Sequence, residues 1–180
     1  VGVINADTGL NLPDFRAAER SFSLLTQAAG RAGRGDDPAR VVVQTYNPEH
    51  SALVSTSGHD YEGFASDELV SRRELGYPPF SRLAMIRIAG PDEGEVGTVA
   101  RSLADRLVER VGALKLPVSV LGPVPAPIER IRGRIRYQLL LKGDTSRAVA
   151  RICLDVFGES PPRLEGGVRI TVDIDPLDML

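Results

Sequence analysis

Two arginines at a helical spacing are the residues of this sequence best suited to phosphate chemistry. Arg31 and Arg34 stand three positions apart among alanines and glycines in residues 27–35. A spacing of three places both guanidinium groups on one face of a helix, and the small neighbours let a backbone or a phosphate approach closely. Guanidinium forks match phosphate oxygens and stabilise charge that develops on a γ-phosphoryl group. The pair is therefore a candidate nucleotide-sensing site.

The plain alternative is a helix that ends at Gly35 and carries two solvated arginines. The pair, however, belongs to the longer string Gln-x-x-Gly-Arg-x-Gly-Arg, which begins at Gln27. This string resembles the last conserved motif of superfamily 2 helicases, whose arginines reach across a cleft to ATP. The resemblance implies catalytic roles for Arg31 and Arg34, and nucleotide contacts for Gln27 and Gly30.

The preceding segment resembles the helicase motif that comes just before the arginine motif, which often has a Gly-x-Asp-x-Pro pattern. Residues 9–13 read Gly-Leu-Asn-Leu-Pro, so Asn11 stands where many relatives carry aspartate. The resemblance implies nucleotide contacts for Asp7, Gly9 and Asn11. The alternative for Asp7 and Asp14 is a structural role in a turn or as a helix cap, because aspartate is favoured at both positions. For Asp14 we favour capping.

Five separated runs extend the resemblance over nearly the whole chain. They are residues 14–35, 44–50, 74–84, 120–142 and 172–176. Together they resemble the C-terminal part of the PriA family of bacterial replication-restart helicases. The resemblance implies an ATP-dependent 3'–5' DNA helicase that recognises stalled replication forks and initiates primosome assembly. It implies ATP and Mg²⁺ as cofactors. It also implies forked and single-stranded DNA, primosome proteins and single-strand-binding protein as partners.

Several parts of such a helicase are missing from this sequence. It begins at Val1, and it contains neither a Gly-Lys-Thr/Ser phosphate loop nor an acidic run that could hold magnesium. We therefore expect a C-terminal fragment that does not hydrolyse ATP alone. Relatives carry a zinc module upstream, but with Cys153 as the single cysteine no metal site can be placed here. The alternatives are an ATPase-inactive, PriA-like fork-binding primosome loader and an RNA-binding module.

Composition limits the possibilities further. The chain has 180 residues, of which 42% are hydrophobic and 26% charged, which suits one or two soluble domains. The net charge is -2, so nucleic-acid binding must use a local basic patch. No apolar run approaches the ~18 residues that span a bilayer. Without a signal peptide, the sequence predicts a cytoplasmic protein that has no membrane partner.

The first 76 residues are predicted to be the C-terminal part of the second RecA-like helicase lobe. A buried strand is expected to open the chain and a second, parallel one to cover residues 41–46, with helices at residues 17–32 and 60–75. Asn47 is expected to cap a helix, and His50 to be an ordinary surface residue. Two prolines following Tyr77 favour a domain boundary there.

Residues 77–180 are predicted to form a small α+β domain of βαββαβ order, with its helices on one side of the sheet. The last domain of PriA, which is similar to a small ribosomal-subunit protein, has this character. Its second strand is expected to be short, residues 118–121, and to be followed by a stiff proline-rich loop at residues 122–127.

A row of arginines follows that loop, at every second position of the sequence. In an extended segment the row would align four guanidinium groups on one face, suited to phosphates, although Gly133 favours a turn. The alternative is an edge strand whose charges block aggregation. The predicted DNA-binding residues are Arg130, Arg132, Arg134 and Arg136.

Overall fold

The chain divides into two units that each carry their own core. A computed structural model describes residues 1–32, 40–161 and 164–179. The units are Val1–Leu75 and Gly76–Leu180. Both mix helices with sheet, which confirms an α/β chain in that general sense. Within the described ranges, no helix is long and apolar enough to cross a membrane.

In its described residues, the first unit combines a two-stranded parallel sheet with four helices. The helices predicted at residues 17–32 and 60–75 are confirmed as α2 and α4, and Asp60 caps α4 by accepting from the Gly63 N–H at 2.8 Å. In chain order the elements are β1 Gly2–Val3, α1 Asp7–Leu10, α2 Ala17–Ala32, β2 Val42–Val43, α3 Ser51–Ser57 and α4 Tyr61–Glu74.

Both strands of this sheet are shorter and more exposed than predicted. Each pairs over two residues only, in the expected parallel direction. Gly2 and Val42 are exposed, and Val3 and Val43 are only half-buried, so the prediction of buried strands is wrong. The physical reason is that, among the residues that the structure describes, each strand has one neighbour, which leaves its other edge exposed.

An aromatic stack fixes α2 against α4. The rings of Phe22 and Phe64 lie 4.3 Å apart between centroids and nearly parallel. Leu25, three residues further along α2, is also buried. Arg72 on α4 forms ion pairs with Glu19 of α2 at 2.7 Å and with Glu68 at 2.8 Å. Because one side of α2 is held in the core, its opposite side must face solvent.

The cap of α3 differs from the prediction. The helix begins at Ser51, and the ring Nδ1 of His50 accepts the Ala52 N–H at 3.2 Å. Asn47 therefore does not cap the helix. Histidine can take this position because a neutral imidazole nitrogen is an acceptor, as a capping carboxylate is.

The second unit confirms the predicted βαββαβ order. Its strands form one antiparallel sheet in the spatial order β4-β5-β3-β6, a split βαβ arrangement. The long hairpin partner β5 lies between β4 and the central strand β3. The elements are β3 Arg82–Gly90, α5 Glu93–Ala113, β4 Val118–Ile131, β5 Arg134–Gly143, α6 Ser146–Phe157 and β6 Arg169–Ile174.

The two faces of this sheet are covered differently. Helices α5 and α6 pack on one face, which we call the helix face, against residues such as Ile86 and Leu139, and Cys153 of α6 lies in the same core. Burial raises the pKa of the Cys153 thiol to about 11, as expected for a core thiol. On the other side, the open face, Arg87 donates to the Asp178 carbonyl at 3.0 Å. The C-terminal segment therefore lies against this face.

Strand β4 is much longer than predicted. It continues through the supposed loop at residues 122–127 to Ile131, with register shifts at Leu121/Val124 and Pro125/Arg130. The strand tolerates its prolines because it is an edge strand, whose outer N–H groups need no partner. A proline-rich run was therefore a poor indicator of a loop here.

We expect Ile152→Ala to destabilise the second unit by about 2–5 kcal/mol, because it opens a cavity in a close-packed core. Ile152 is fully buried on α6, whereas Leu154 on the same helix is 58% exposed. Leu154→Ala is the matched control and should change the unfolding free energy by at most about 0.5 kcal/mol. Urea unfolding of both variants measures this, and equal losses would contradict the assigned core.

Candidate functional site

The exposed side of α2 carries the described residues of the predicted arginine motif. Ser23, Gln27, Gly30 and Arg31 all lie on this side and are exposed; we call them the α2 stripe. Gln27 donates to the Ser23 hydroxyl at 3.4 Å, a long and weak contact. Gln27 and Arg31 are four residues apart, so one helical face presents both side chains to solvent.

Arg31 occupies the last turn of α2, where a cation is favoured by the helix dipole. Among the residues that the structure describes, no hydrogen bond or ion pair holds its guanidinium group. Arg34 lies outside the described residues, so the shared face of the two arginines stays a prediction. A Cβ added at Gly30 would meet nothing within 4 Å, so packing inside this unit does not require that glycine.

Asp7 joins the segment after β1 to the segment after β2. Its carboxylate accepts from the Tyr46 N–H at 3.0 Å and from the Thr45 hydroxyl at 2.9 Å. The hydrogen bond from the Tyr46 N–H, together with that from Thr45, lowers the pKa of Asp7 below its ordinary value. A recess of about 80 Å³ lies beside it, far smaller than the about 300 Å³ at which ligand pockets begin. Asp7 thus positions loops within its own unit.

Gly9 and Asn11 also serve the local fold. A Cβ on Gly9 would lie 2.9 Å from the Ser21 hydroxyl, so glycine lets α1 approach α2 closely. Asn11 is exposed at the end of α1, where its N–H donates to the Asp7 carbonyl at 2.9 Å. Among residues 7–11, the exposed side chain of Asn11 is therefore the polar group most accessible to a ligand.

The buried Asp14 anchors the turn that leads into α2, which begins at Ala17. One oxygen accepts from the Arg16 N–H at 2.8 Å, just before α2 begins. The other pairs with Arg20 at 2.9 Å, in the first turn of the helix. The carboxylate therefore fixes the start of the helix that carries the α2 stripe.

The arginine row does not line one face, because the turn expected at Gly133 interrupts it. Arg132 and Gly133 form a two-residue hairpin turn with φ values of 50° and 77°. Across the turn, Arg130 lies opposite Ile135, which is buried on the helix face. Residues that pair directly share a side of the sheet, and side chains alternate along a strand. Arg130 therefore points to the helix side, whereas Arg134 points to the open face.

The four arginines also differ in how strongly they are held. Arg134 donates to the carbonyls of Ala89 and Gly167, and Arg136 donates to the Ile128 carbonyl at 3.4 Å. Within the described ranges, Arg130 and Arg132 have no hydrogen bond or ion pair, and both are exposed. The tip of the β4–β5 hairpin thus presents two uncommitted guanidinium groups.

Pairing of the strands in the second unit brings together charged side chains that were not predicted as a site from the sequence. Arg87, on the central strand, lies directly opposite Gln138 on the open face. It also approaches Asp173 at 3.8 Å. Lys142 holds its ammonium 4.2 Å from the centre of the Tyr77 ring, and burial lowers the pKa of Lys142. These neighbours become visible only once the strands are paired, so no pattern within one segment shows them.

Comparison with known proteins shows what the whole chain is similar to. The sequence model of a family described as "Primosomal protein N C-terminal domain" matches residues 73–177. Three relatives are named "Replication restart protein PriA". The protein of Bacillus subtilis is 38% identical, across 100% of this chain and 22% of its own length. That of Synechocystis is 41% identical, across 99% and 21%. That of Treponema pallidum is 39% identical, across 100% and 27%.

The chain thus spans about a fifth to a quarter of the length of these relatives. Among solved structures, "De novo designed protein Foldit4" covers 54% of this chain at a TM-score of 0.38 and 18% identity. Its own chain is covered to 99%. That similarity is below the level that establishes a shared fold.

We expect Asp7→Asn to destabilise the first unit at neutral pH, because the amide cannot accept both hydrogen bonds. The folded-state pKa of Asp7 is depressed, so its contribution is complete above the ordinary value of 3.8 and is lost as the pH falls through the folded value. The difference in unfolding free energy between wild type and variant should therefore shrink below pH 3.8.

Urea unfolding between neutral pH and pH 3 measures this difference. Glu49→Gln removes an exposed carboxylate of the same unit and is the control; it should change little at any pH. A difference between wild type and Asp7→Asn that stays constant across this range would contradict the role assigned to the carboxylate.

Proposed function

The chain belongs to the PriA family of primosomal proteins, and we propose that it is the C-terminal part of a longer helicase, which we call the parent. The parent is an ATP-dependent 3'–5' DNA helicase that recognises stalled replication forks and initiates primosome assembly for replication restart. The relatives support this proposal, since each is similar to essentially the whole chain. Forked and single-stranded DNA, primosome proteins and single-strand-binding protein are the proposed partners, and the cytoplasm is the proposed location.

In this proposal the first unit completes an ATP site whose remaining residues, including those that hold Mg²⁺, lie elsewhere in the parent. Arg31 and Arg34 approach the γ-phosphate, where their charge stabilises the transferring group. Gln27 and Gly30, on the same side of α2, line the approach. The single observation that carries the proposal is the exposed guanidinium of Arg31, which no described residue neutralises, at the end of a helix anchored by the Phe22–Phe64 stack.

Loss of the γ-phosphate must also be transmitted away from the nucleotide. Asp7 holds the loops after both strands together through two hydrogen bonds. Gly9 lets α1 pack closely against α2, so we propose that this segment moves together with the helix that carries Arg31. We assign Asp7, Gly9 and Asn11 to this relay, since the Asp7 carboxylate already accepts hydrogen bonds from Thr45 and Tyr46.

The second unit supplies contacts to the nucleic-acid backbone. Arg130 and Arg132 at the hairpin tip carry uncommitted guanidinium groups, whereas Arg134 and Arg136 also hold backbone carbonyls. Guanidinium groups bind phosphates regardless of sequence, which suits a protein that must act at any fork. The arrangement is a local basic patch on a chain whose net charge is -2.

We expect Arg31→Ala in the parent to lower ATP turnover by about a thousandfold or more, the loss typical of an arginine that stabilises a γ-phosphoryl transition state. Arg34→Ala should act similarly. DNA binding should be nearly unchanged, because neither side chain is assigned to DNA.

The measurement is steady-state, DNA-stimulated ATP hydrolysis, with fluorescence anisotropy for binding of forked DNA. Arg73→Ala, an exposed arginine of α4 outside the α2 stripe, is the control and should retain turnover. Unchanged turnover in Arg31→Ala would refute the assignment. A wild-type parent that binds forks without hydrolysing ATP would favour the alternative, an inactive primosome loader.

We expect Arg132→Ala to weaken binding of forked DNA by this chain uniformly across sequences. The slope of log affinity against log salt should fall by about 0.9 for each duplex phosphate that the variant no longer neutralises. Arg134→Ala should also lower stability, because its guanidinium holds the carbonyls of Ala89 and Gly167.

Salt-titrated anisotropy with forked DNA, single-stranded DNA and double-stranded RNA of equal length measures these effects. Arg101→Ala, an exposed residue on the outer side of α5, should leave the slope unchanged. An unaltered slope in Arg132→Ala would contradict the assigned role in phosphate binding. Preference for RNA over the fork would favour an RNA-binding module instead.

A further inference from the structure

The outer edge of β6 is an open strand. The Asp175 N–H donates to the Leu83 carbonyl at 2.9 Å, which fixes the alternation along the strand. The odd-numbered residues of β6 therefore direct their backbone groups to β3, and the even-numbered ones direct theirs outward. Within the described residues, the outward N–H and C=O groups of Ile170 and Val172 have no backbone partner.

The two edges of this sheet are protected very differently. On β4, prolines at positions 123, 125 and 127 remove alternate N–H donors, so no strand can pair along that stretch. Strand β6 contains no proline or glycine between Arg169 and Ile174. Of the two edges, that of β6 is therefore the one that can accept another strand along its whole length.

The charged side chains of β6 are complementary to those of a second β6 strand that runs antiparallel to it. Arg169 and Asp173 are four residues apart, are both exposed, and lie on the open face. If two β6 strands pair antiparallel about a twofold axis at Thr171, Arg169 of each copy lies opposite Asp173 of the other. The same register brings the outward groups of Ile170 against those of Val172, so that both sets of hydrogen bonds form.

We propose that the β6 edge is a self-association surface through which two copies of this chain form one continuous antiparallel sheet. Charged side chains on an edge strand usually prevent such pairing. Here the opposite signs at a self-complementary spacing attract, since cross-strand pairs of opposite charge are stabilising and like pairs are destabilising. Asp173 remains available because its contact with Arg87 is loose, at 3.8 Å, and its side chain is 52% exposed.

The contact between the two β6 strands is small, so we expect the dimer to have a low affinity. Five residues from each copy bury less than the about 1,000 Å² of a stable interface, so the dimer is weak and forms at high local concentration. Two chains held side by side would reach that concentration. Their open faces, with Arg87 and Arg136 of each copy, would then form one surface.

The test is sedimentation equilibrium of this chain over a concentration series that reaches about 1 mM, as a weak interface requires. Wild type should show a monomer–dimer equilibrium. Arg169→Asp and Asp173→Arg should each weaken self-association by at least about tenfold, because each places like charges opposite one another twice. Arg147→Asp, on the exposed side of α6, is the matched charge reversal and should leave the dimer unchanged.

Mixing the two variants distinguishes a disrupted interface from a misfolded chain. In the mixed pair, both carboxylates of the Arg169→Asp chain lie opposite the two arginines of the Asp173→Arg chain. An equimolar mixture should therefore recover dimerisation close to that of wild type. A wild type that stays monomeric throughout the series would overturn the proposal. So would single variants that dimerise as wild type does, or a mixture that stays monomeric.

Discussion

The stacking of Phe22 on Phe64 is the interaction on which the candidate nucleotide site depends. It fixes which side of α2 enters the core, and Arg72 reinforces it through ion pairs to Glu19 and Glu68. A helix with one buried side has no freedom in what its other side presents. Gln27, Gly30 and Arg31 face solvent because Phe22 and Leu25 do not. The guanidinium of Arg31 thus reaches outward from a rigid base, as an arginine that senses a phosphate must.

In the second unit, the position of the β4–β5 hairpin turn determines where the arginine side chains point. The turn at Arg132–Gly133 reverses the chain in the middle of the arginine row, so Arg130 and Arg134 point to opposite sides of the sheet. A one-residue slip of the pairing between β4 and β5 would bring both arginines to the same side, because side chains alternate along a strand. Backbone pairing therefore determines the basic surface. Arg130 and Arg132 are exposed at the hairpin tip, whereas Arg134 and Arg136 donate to backbone carbonyls.

Helices were the elements best predicted from the sequence. Residues 17–32 carry a regular apolar spacing, and α4 follows a capping aspartate, Asp60, so local signals sufficed for both. The βαββαβ order was also predictable, because apolar runs and helical spacing alternate clearly along residues 77–180. The family resemblance rested on five separated runs, and the match to residues 73–177 confirms it.

The features that the sequence did not reveal depend on neighbours in space. Strand burial in the first unit depends on how many strands flank β1 and β2, and a single segment does not contain that information. The length of β4 depends on its position at the edge, where prolines are tolerated. The hydrogen bonds of Asp7 with Thr45 and Tyr46 join residues 38 and 39 positions away. Only the folded structure, in which β1 and β2 are paired, shows that the Asp7 carboxylate accepts hydrogen bonds within its own unit.

The central claim is that the α2 stripe faces the γ-phosphate of a bound nucleotide. A structure of the parent with a non-hydrolysable ATP analogue and Mg²⁺ tests this most directly. We expect the guanidinium nitrogens of Arg31 and Arg34 within about 3 Å of the γ-phosphate oxygens, the distance of a charge-assisted hydrogen bond. A nucleotide bound elsewhere, with Arg31 still pointing into solvent, would contradict the account.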